Sequence, residues 1–430
     1  MNMKYIKKTL SNGMCIILAP SKNTKIVTMG FYIKVGSRNE ELENNGIAHF
    51  LEHMMFKGTT NRNTDQLFQE LDSLGAVYNA ATTTQYTYYY VYGNSNDIKQ
   101  LLDIIFDIYI NAKFDDSEIK KEKNVIIEEM RNYNDTPFSK LHNNLYKKLY
   151  ENTSLSKKVM GNKNVVKNLS KKDLNDFRSI YYIPENTIFI VTGNFNSHVV
   201  FKIVKNTLSK IKNVSKPIKT YFEEKAIIIN KMHKQSEPYI NIMRNNNMKQ
   251  SYVILAYPLY DLYDSKKHKI ILLTQLLSAG FSSRLNKALR ENEGISYVSE
   301  AYPIVYEDNG LFIIQTIINP VNLKKGINII LNELKNVKMH PITNNELKKI
   351  INISKNEIIY SFMNPTKIMS YLGTNFIFDR EYQADINQDI KKFEKTTQRD
   401  IQKIACQIFR DDKINLFIYG NVEKNFKLDL

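Results

Sequence analysis

The chain has 430 residues, 43% of them hydrophobic, with 60 Lys and Arg against 44 Asp and Glu for a formal charge of +16. That length and apolar content support two sizeable cores and exclude a disordered chain, while two cysteines at opposite ends, Cys15 and Cys406, exclude a disulfide framework and make a reducing compartment the default. No apolar run approaches the ~18 residues that cross a bilayer, so no membrane span is expected, and the lysine pairs are scattered from 7-8 to 391-392, which argues against a nucleic-acid-binding stripe.

In chain order, Leu10-Ser11-Asn12-Gly13 reads as a turn before a strand. The first hairpin comes within about a dozen residues, which leaves no room for a signal or transit peptide and points to a cytoplasmic location. Asn44, Asn45 and Gly46 supply a turn and a cap, and Lys57-Gly58 a basic last turn and a stop, so a helix of about three turns is expected over Ile47 to Phe56. Gly75 to Ala80 and Thr82 to Tyr92, rich in β-branched and aromatic residues, predict a pair of strands. Asp116 to Asn132 predicts a capped amphipathic helix with Ile119, Glu122, Ile126 and Glu129 along one stripe. Ser215-Lys216-Pro217 and its mixed-charge surroundings mark a linker, placed at 213–226 between a domain at 1–212 and a second at 227–430. The second half repeats the first: Asp173 to Asn194 aligns without gaps on Asp400 to Asn421, and Glu118 to Glu129 on Glu346 to Glu357.

The chemistry concentrates in His49-Phe50-Leu51-Glu52-His53. Residues four apart on a helix share a face, so both imidazoles reach one ion while Glu52, one turn from His49, reaches the same side. A lone histidine on an apolar face is ordinarily a satisfied core residue, but three polar groups on one face each need a buried partner. The spacing H-x-x-E-H is the inverted zinc-peptidase signature. A tetrahedral catalytic zinc takes three protein ligands, and Glu129 is the candidate third. Glu122, two turns earlier, is either an assisting carboxylate or a residue at the edge of the stripe that reaches solvent. Zinc would polarise a scissile carbonyl and acidify a water, whose proton Glu52 takes as general base and passes to the leaving amine.

His49-Phe50-Leu51-Glu52-His53-Met54-Met55-Phe56-Lys57-Gly58-Thr59, with Glu122 to Glu129, resembles the pitrilysin or insulinase family of zinc peptidases, in particular its two-domain processing-peptidase-like branch. Gly36-Ser37-Arg38 and Tyr182-Ile183-Pro184-Glu185-Asn186 carry the resemblance over nearly the whole chain. It implies an α+β fold of two homologous domains, each a mostly antiparallel sheet packed against helices. It further implies zinc ligands His49, His53 and Glu129, the base Glu52, and an edge strand at Asn79-Ala80 that takes up a peptide or unfolded protein substrate as an added strand in a closed chamber. Arg290 and Tyr297, which follow Gly280-Phe281-Ser282-Ser283-Arg284-Leu285, match the pair that holds the substrate carbonyl and its oxyanion. Taken alone, Arg290 would be a surface ion-pair partner and the tyrosine-rich strands ordinary sheet material.

Ile270 to Ala279, the counterpart of the metal helix, has no histidine, so one zinc site per chain is expected. Because the chain carries both the zinc half and the Arg/Tyr half, the expected assembly is a self-sufficient homodimer, with a heterodimer of two family members as the alternative. The expected activity is that of a zinc metalloendopeptidase acting on peptides or presequence-like segments. The alternative is a catalytically silent structural or assembly subunit of the same family.

Overall fold

Two sheets organise the chain in the computed structural model, which describes residues 4–212 and 235–428. The expected linker, 213–226, lies outside the described residues. The first sheet joins β1 (Ile6–Thr9), β2 (Cys15–Pro20), β3 (Ile26–Ile33), β4 (Val77–Thr82), β5 (Thr87–Asn94) and β6 (Thr187–Gly193) in the order β1-β2-β6-β3-β5-β4. The second joins β7 (Tyr239–Arg244), β8 (Ser251–Leu259), β9 (Ser299–Val305), β10 (Gly310–Ile318) and β11 (Asn415–Gly420) in the order β7-β11-β8-β10-β9. All neighbours are antiparallel except β2 with β6 and β7 with β11. Without β1 the two orders are one topology, as the internal repeat predicts.

The repeat is visible at the level of caps. Ser170 and Asp173 form a capping box at the start of helix Lys171–Tyr181, which leads through a 3-10 turn, Pro184–Asn186, into β6. Thr397 and Asp400 form the same box on helix Gln398–Ile408, which leads through Asp411–Lys413 into β11. Each box satisfies orphan N–H groups at a helix start and so fixes where the helix begins.

Four helices pack over the first sheet or beside it: α1 (Ile47–Met54), α2 (Thr64–Ser73), α3 (Ile98–Asn111) and α4 (Asp116–Asp135). Phe31, Ile33 and Val191 of the sheet share a core with Leu51, Ile105 and Ile126 of these helices. The opposite face is covered as well, which explains why β6 is buried along its whole length and reads as a continuous apolar run. There Ile17, Tyr32 and Ile190 meet Ile368, Leu372 and Phe376 of helix Pro365–Phe376. A side chain at Gly373 would place its Cβ 2.4 Å from the Tyr32 ring, so glycine permits the close approach.

The compact units are therefore not two contiguous stretches of chain. One gathers the described parts of Met1–Tyr133, Asn152–Ile228 and Tyr360–Asp385; the other gathers those of Asn134–Glu151, Ile229–Ile359 and Ile386–Leu430. A single boundary at 213–226 does not separate these units. Helix α5 (Pro137–Leu149), early in the sequence, turns Leu141, Leu145 and Leu149 inward in the second unit, and Phe138 meets Tyr252 edge-on at 5.0 Å. A sheet with one bare apolar face must cover it, and here each takes a helix from the other half of the sequence.

Two local expectations change. The run Thr82 to Tyr92 is broken by a turn, because the Thr83 hydroxyl accepts from the N–H groups of Gln85 and Tyr86 before β5 begins at Thr87. The metal helix is shorter than expected, eight residues ending at Met54. Among the described residues no helix is long and apolar enough to cross a membrane.

Candidate metal centre

Helix α1 begins at Gly46, whose φ of 105° a glycine tolerates and whose missing side chain cannot cap the helix. The expected cap from Asn44 to Gly46 is supplied instead by Glu40. Its Oε2 accepts from Gly46 N at 2.8 Å and from Asn45 Nδ2 at 2.6 Å, and its Oε1 accepts from Ala48 N at 2.9 Å. Burial pushes this carboxyl up to about 8 against the pull of those donors.

From this start the helix presents His49 and His53 one turn apart, ring centroids 4.7 Å from each other. Glu129 reaches them from α4: its Oε2 lies 3.7 Å from His49 Nε2 and 3.4 Å from His53 Nε2. One ligand atom from each of the three falls within 4.8 Å of the others. Two atoms ~2.0–2.1 Å from a shared tetrahedral ion stand ~3.3–3.4 Å apart, so the spacing fits a zinc ion. The donor set, two imidazoles and a carboxylate, also suits that metal.

The surroundings prepare the donors differently. Burial, then the charge of His53, pushes His49 down to about 4, so His49 is a neutral imidazole at pH 7. Burial works the same way on His53, but the hydrogen bonds it donates to Glu122 and Glu129 outweigh it and push His53 up to about 9. Glu122 Oε2 sits 3.1 Å from His53 Nδ1, and Glu122 Oε1 sits 2.8 Å from Lys57 Nζ. A cation at the Nε2 side thus competes with a proton, while the Nδ1 side is already held by a carboxylate, the usual arrangement for a metal-binding histidine.

Glu52 turns elsewhere. Its Oε2 accepts from the Thr82 hydroxyl at 2.9 Å, which ties α1 to the end of β4. Burial raises its carboxyl above the ordinary range although His53 and Thr82 pull it down. Asn79 and Ala80 lie on β4, the last strand of its sheet, and the Ala80 N–H donates to Asn79 Oδ1 at 2.8 Å.

Glu122 and Glu129, placed on one stripe by the sequence, differ in environment. Glu122, for which solvent was the alternative, is 5% exposed, whereas the Glu129 side chain is 46% exposed. The buried stripe of α4 runs Ile119, Glu122, Ile126 and on to Met130, so Glu129 falls one residue round from it. Its charge is held below the usual range by the hydrogen bond to His53 first, with burial opposing.

Residues 16–163 match the profile described as Insulinase (Peptidase family M16), and 168–354 match the Peptidase M16 inactive domain. The chain belongs to the insulinase family, M16. Within it, the chain is 29% identical over 405 residues to an uncharacterised zinc protease of Bacillus subtilis, covering 94% of this chain and 95% of that one. It is 25% identical over 431 residues to the mitochondrial-processing peptidase subunit beta of Lentinula edodes, covering 96% and 90%. The fold matches the crystal structure of a protease from Helicobacter pylori with a TM-score of 0.87 at 24% identity, over 97% of this chain and 99% of that one. The two-domain α+β architecture of this zinc-peptidase family is thus the architecture of the chain.

The remaining expected residues of the insulinase-type pattern lie in the second unit. The Arg290 guanidinium is sandwiched between the Phe281 ring, 4.7 Å away, and the Tyr297 ring, 4.6 Å away. Its Nε also pairs with Glu291 Oε1 at 3.5 Å, so two rings and a carboxylate surround it. Both rings are largely exposed. Lys57, Thr82 and Glu40, which contact the candidate residues or hold their helix, were not singled out by the sequence for that part. Lys57 stands one turn after His53 and carried that signal, but the others answer to partners that no spacing reveals.

Proposed function

We propose that the chain is a zinc-dependent metalloendopeptidase that hydrolyses peptides or presequence-like segments laid as an added strand along β4. In this reading His49, His53 and Glu129 hold one zinc per chain. The observation that carries it is the position of Glu52, on the histidine face of α1 yet outside the converging ligand atoms, and hydrogen-bonded to the end of the edge strand. When bound, zinc supplies Lewis-acid polarisation of the scissile carbonyl and acidifies a water.

Glu52 takes the proton of the attacking water and passes it to the leaving amine; burial, by raising its carboxyl, makes it the stronger base. Glu122, charged against Lys57, orients His53. Asn79 and Ala80 bind substrate through the main chain: the Ala80 N–H, now capped by the Asn79 side chain, is the donor that a substrate carbonyl takes over. Arg290, its rotamer restricted by two rings, and Tyr297 stabilise the negative charge that develops on the carbonyl oxygen. Because one chain carries both sets of residues, the working form is a homodimer. Cys15 and Cys406 are both free, which supports a reducing, cytoplasmic setting.

Metal analysis combined with cleavage of a quenched fluorescent peptide library tests this reading. About one zinc per chain and turnover abolished by a chelator are expected. Zinc without cleavage of any peptide would make the chain a silent assembly subunit; no zinc with tight polyanion binding would favour nucleic-acid recognition.

A further inference from the structure

The two histidines of the metal centre are held by different means. His53 has a carboxylate on its second nitrogen, Glu122, which sets its ring plane. His49 has nothing of the kind: among the described residues its buried Nδ1 has no hydrogen-bond partner. Metal-binding histidines ordinarily use that nitrogen to fix their orientation, so His49 must take its aim from the backbone that carries it.

That backbone is clamped. Glu40, 2% exposed, grips the N–H groups of Gly46 and Ala48, and Ala48 is the residue immediately before His49. Asn45, which also donates to Glu40, donates to the Lys158 carbonyl at 3.1 Å, and Lys157 Nζ bonds the Glu40 carbonyl. Gly46 and Gly161 meet so closely that a Cβ on Gly46 would lie 2.7 Å from the Met160 carbonyl oxygen, and one on Gly161 2.2 Å from that of Asn45. Helix α1 is only eight residues long, so a tilt at its first turn is transmitted directly to His49.

We infer that Glu40 is a positioning residue for His49: by capping α1 from outside the helix, it does through the main chain what Glu122 does for His53 through a side chain. The inference rests on His49 being a metal ligand. Loss of Glu40 therefore weakens the grip on metal beyond what general destabilisation explains.

The test measures the zinc affinity of the apoprotein by competition with a chromophoric chelator, the visible spectrum of the Co2+ form, and the urea midpoint without metal. Glu40→Gln, which keeps the shape but lowers the number of acceptors, is expected to weaken zinc about tenfold, as loss of a ligand's supporting partner does, and to alter the Co2+ bands. Asn196→Ala removes a different helix cap in the same unit, since Asn196 Oδ1 accepts from His198 N and Val199 N. That control lowers the urea midpoint but leaves zinc affinity and the Co2+ bands unchanged. Where Glu40→Gln folds poorly, Asn45→Ala, which removes one donor to the carboxylate, is expected to weaken zinc by a smaller factor in the same direction. Equal zinc affinity in wild type and both variants overturns the inference and leaves the metal centre standing; a wild type without zinc overturns both.

Discussion

One helix pair occurs twice in this chain and has been put to two uses. In the first unit α1 and α4 bring Glu129 against two imidazoles. In the second, helices Lys267–Ser278 and Asn344–Ser361 bring Glu357, which occupies the position of Glu129 in the repeat, against the amide of Gln275 at 2.8 Å. Both carboxylates are exposed to a similar degree, yet hydrogen bonding to His53 lowers the Glu129 carboxyl whereas burial raises that of Glu357. A shared backbone position does not decide the charge of a side chain. Its partners do: a neutral amide offsets little of the burial, and an imidazole offsets all of it.

The largest effect expected follows from making the first site resemble the second. Glu129→Gln should leave zinc content near zero and hydrolysis at the level of chelator-treated enzyme; retained zinc by elemental analysis would remove Glu129 from the ligand set. Next comes Glu52→Gln, which keeps the ligands and removes the base. Zinc should stay at wild-type content while kcat falls by ~10²–10⁴-fold with little change in KM. A smaller change is expected of Lys57→Met, which strips Glu122 of its ammonium partner and loosens His53. Zinc affinity measured by chelator competition should fall by about 10- to 100-fold.

The smallest effect lies in the second unit. Arg284 Nε and Nη2 donate to Glu346 at 2.8 and 3.1 Å, and the Thr343 N–H and hydroxyl add to them. Despite burial, these donors push Glu346 down to about 2. A depressed carboxyl contributes stability that is fully present above its unfolded value and is lost as pH falls toward the folded one. Wild type should therefore lose this contribution between about pH 4.3 and pH 2, and Glu346→Gln should lack it at pH 7. Solvent screening at this partly exposed pair keeps it to ~1 kcal/mol, read as a shift in urea midpoint. Zinc affinity should not change, and a change would mean that the two helix pairs are coupled.

Much of the centre was legible because its donors repeat at helical spacing: His49, Glu52 and His53 on one face, and Glu129 seven residues after Glu122. The internal repeat was equally plain, since Asp173 to Asn194 aligns without gaps on Asp400 to Asn421. The stripe on α4 misled in one respect, since periodicity treats Glu122 and Glu129 alike whereas Met130 is the residue that carries the buried line onward. Nor could any pattern show that α5 and helix Pro365–Phe376 each join the unit of the other half. An apolar helix face states that it needs a cover and not which sheet provides it.

The order of residues by itself determined which groups could share a helix face, where helices and strands begin through caps and alternation, and that Ile270 to Ala279, the counterpart of the metal helix, has no histidine. Those are local matters, governed by the period of the backbone and the hydrogen bonds of neighbouring residues. The tertiary structure alone decided which carboxylate is buried, which charge it bears, and that Glu40 rather than Asn45 holds the start of the metal helix. Burial and pairing arise when distant segments pack together, so their energies belong to the fold and are written in no single stretch of chain.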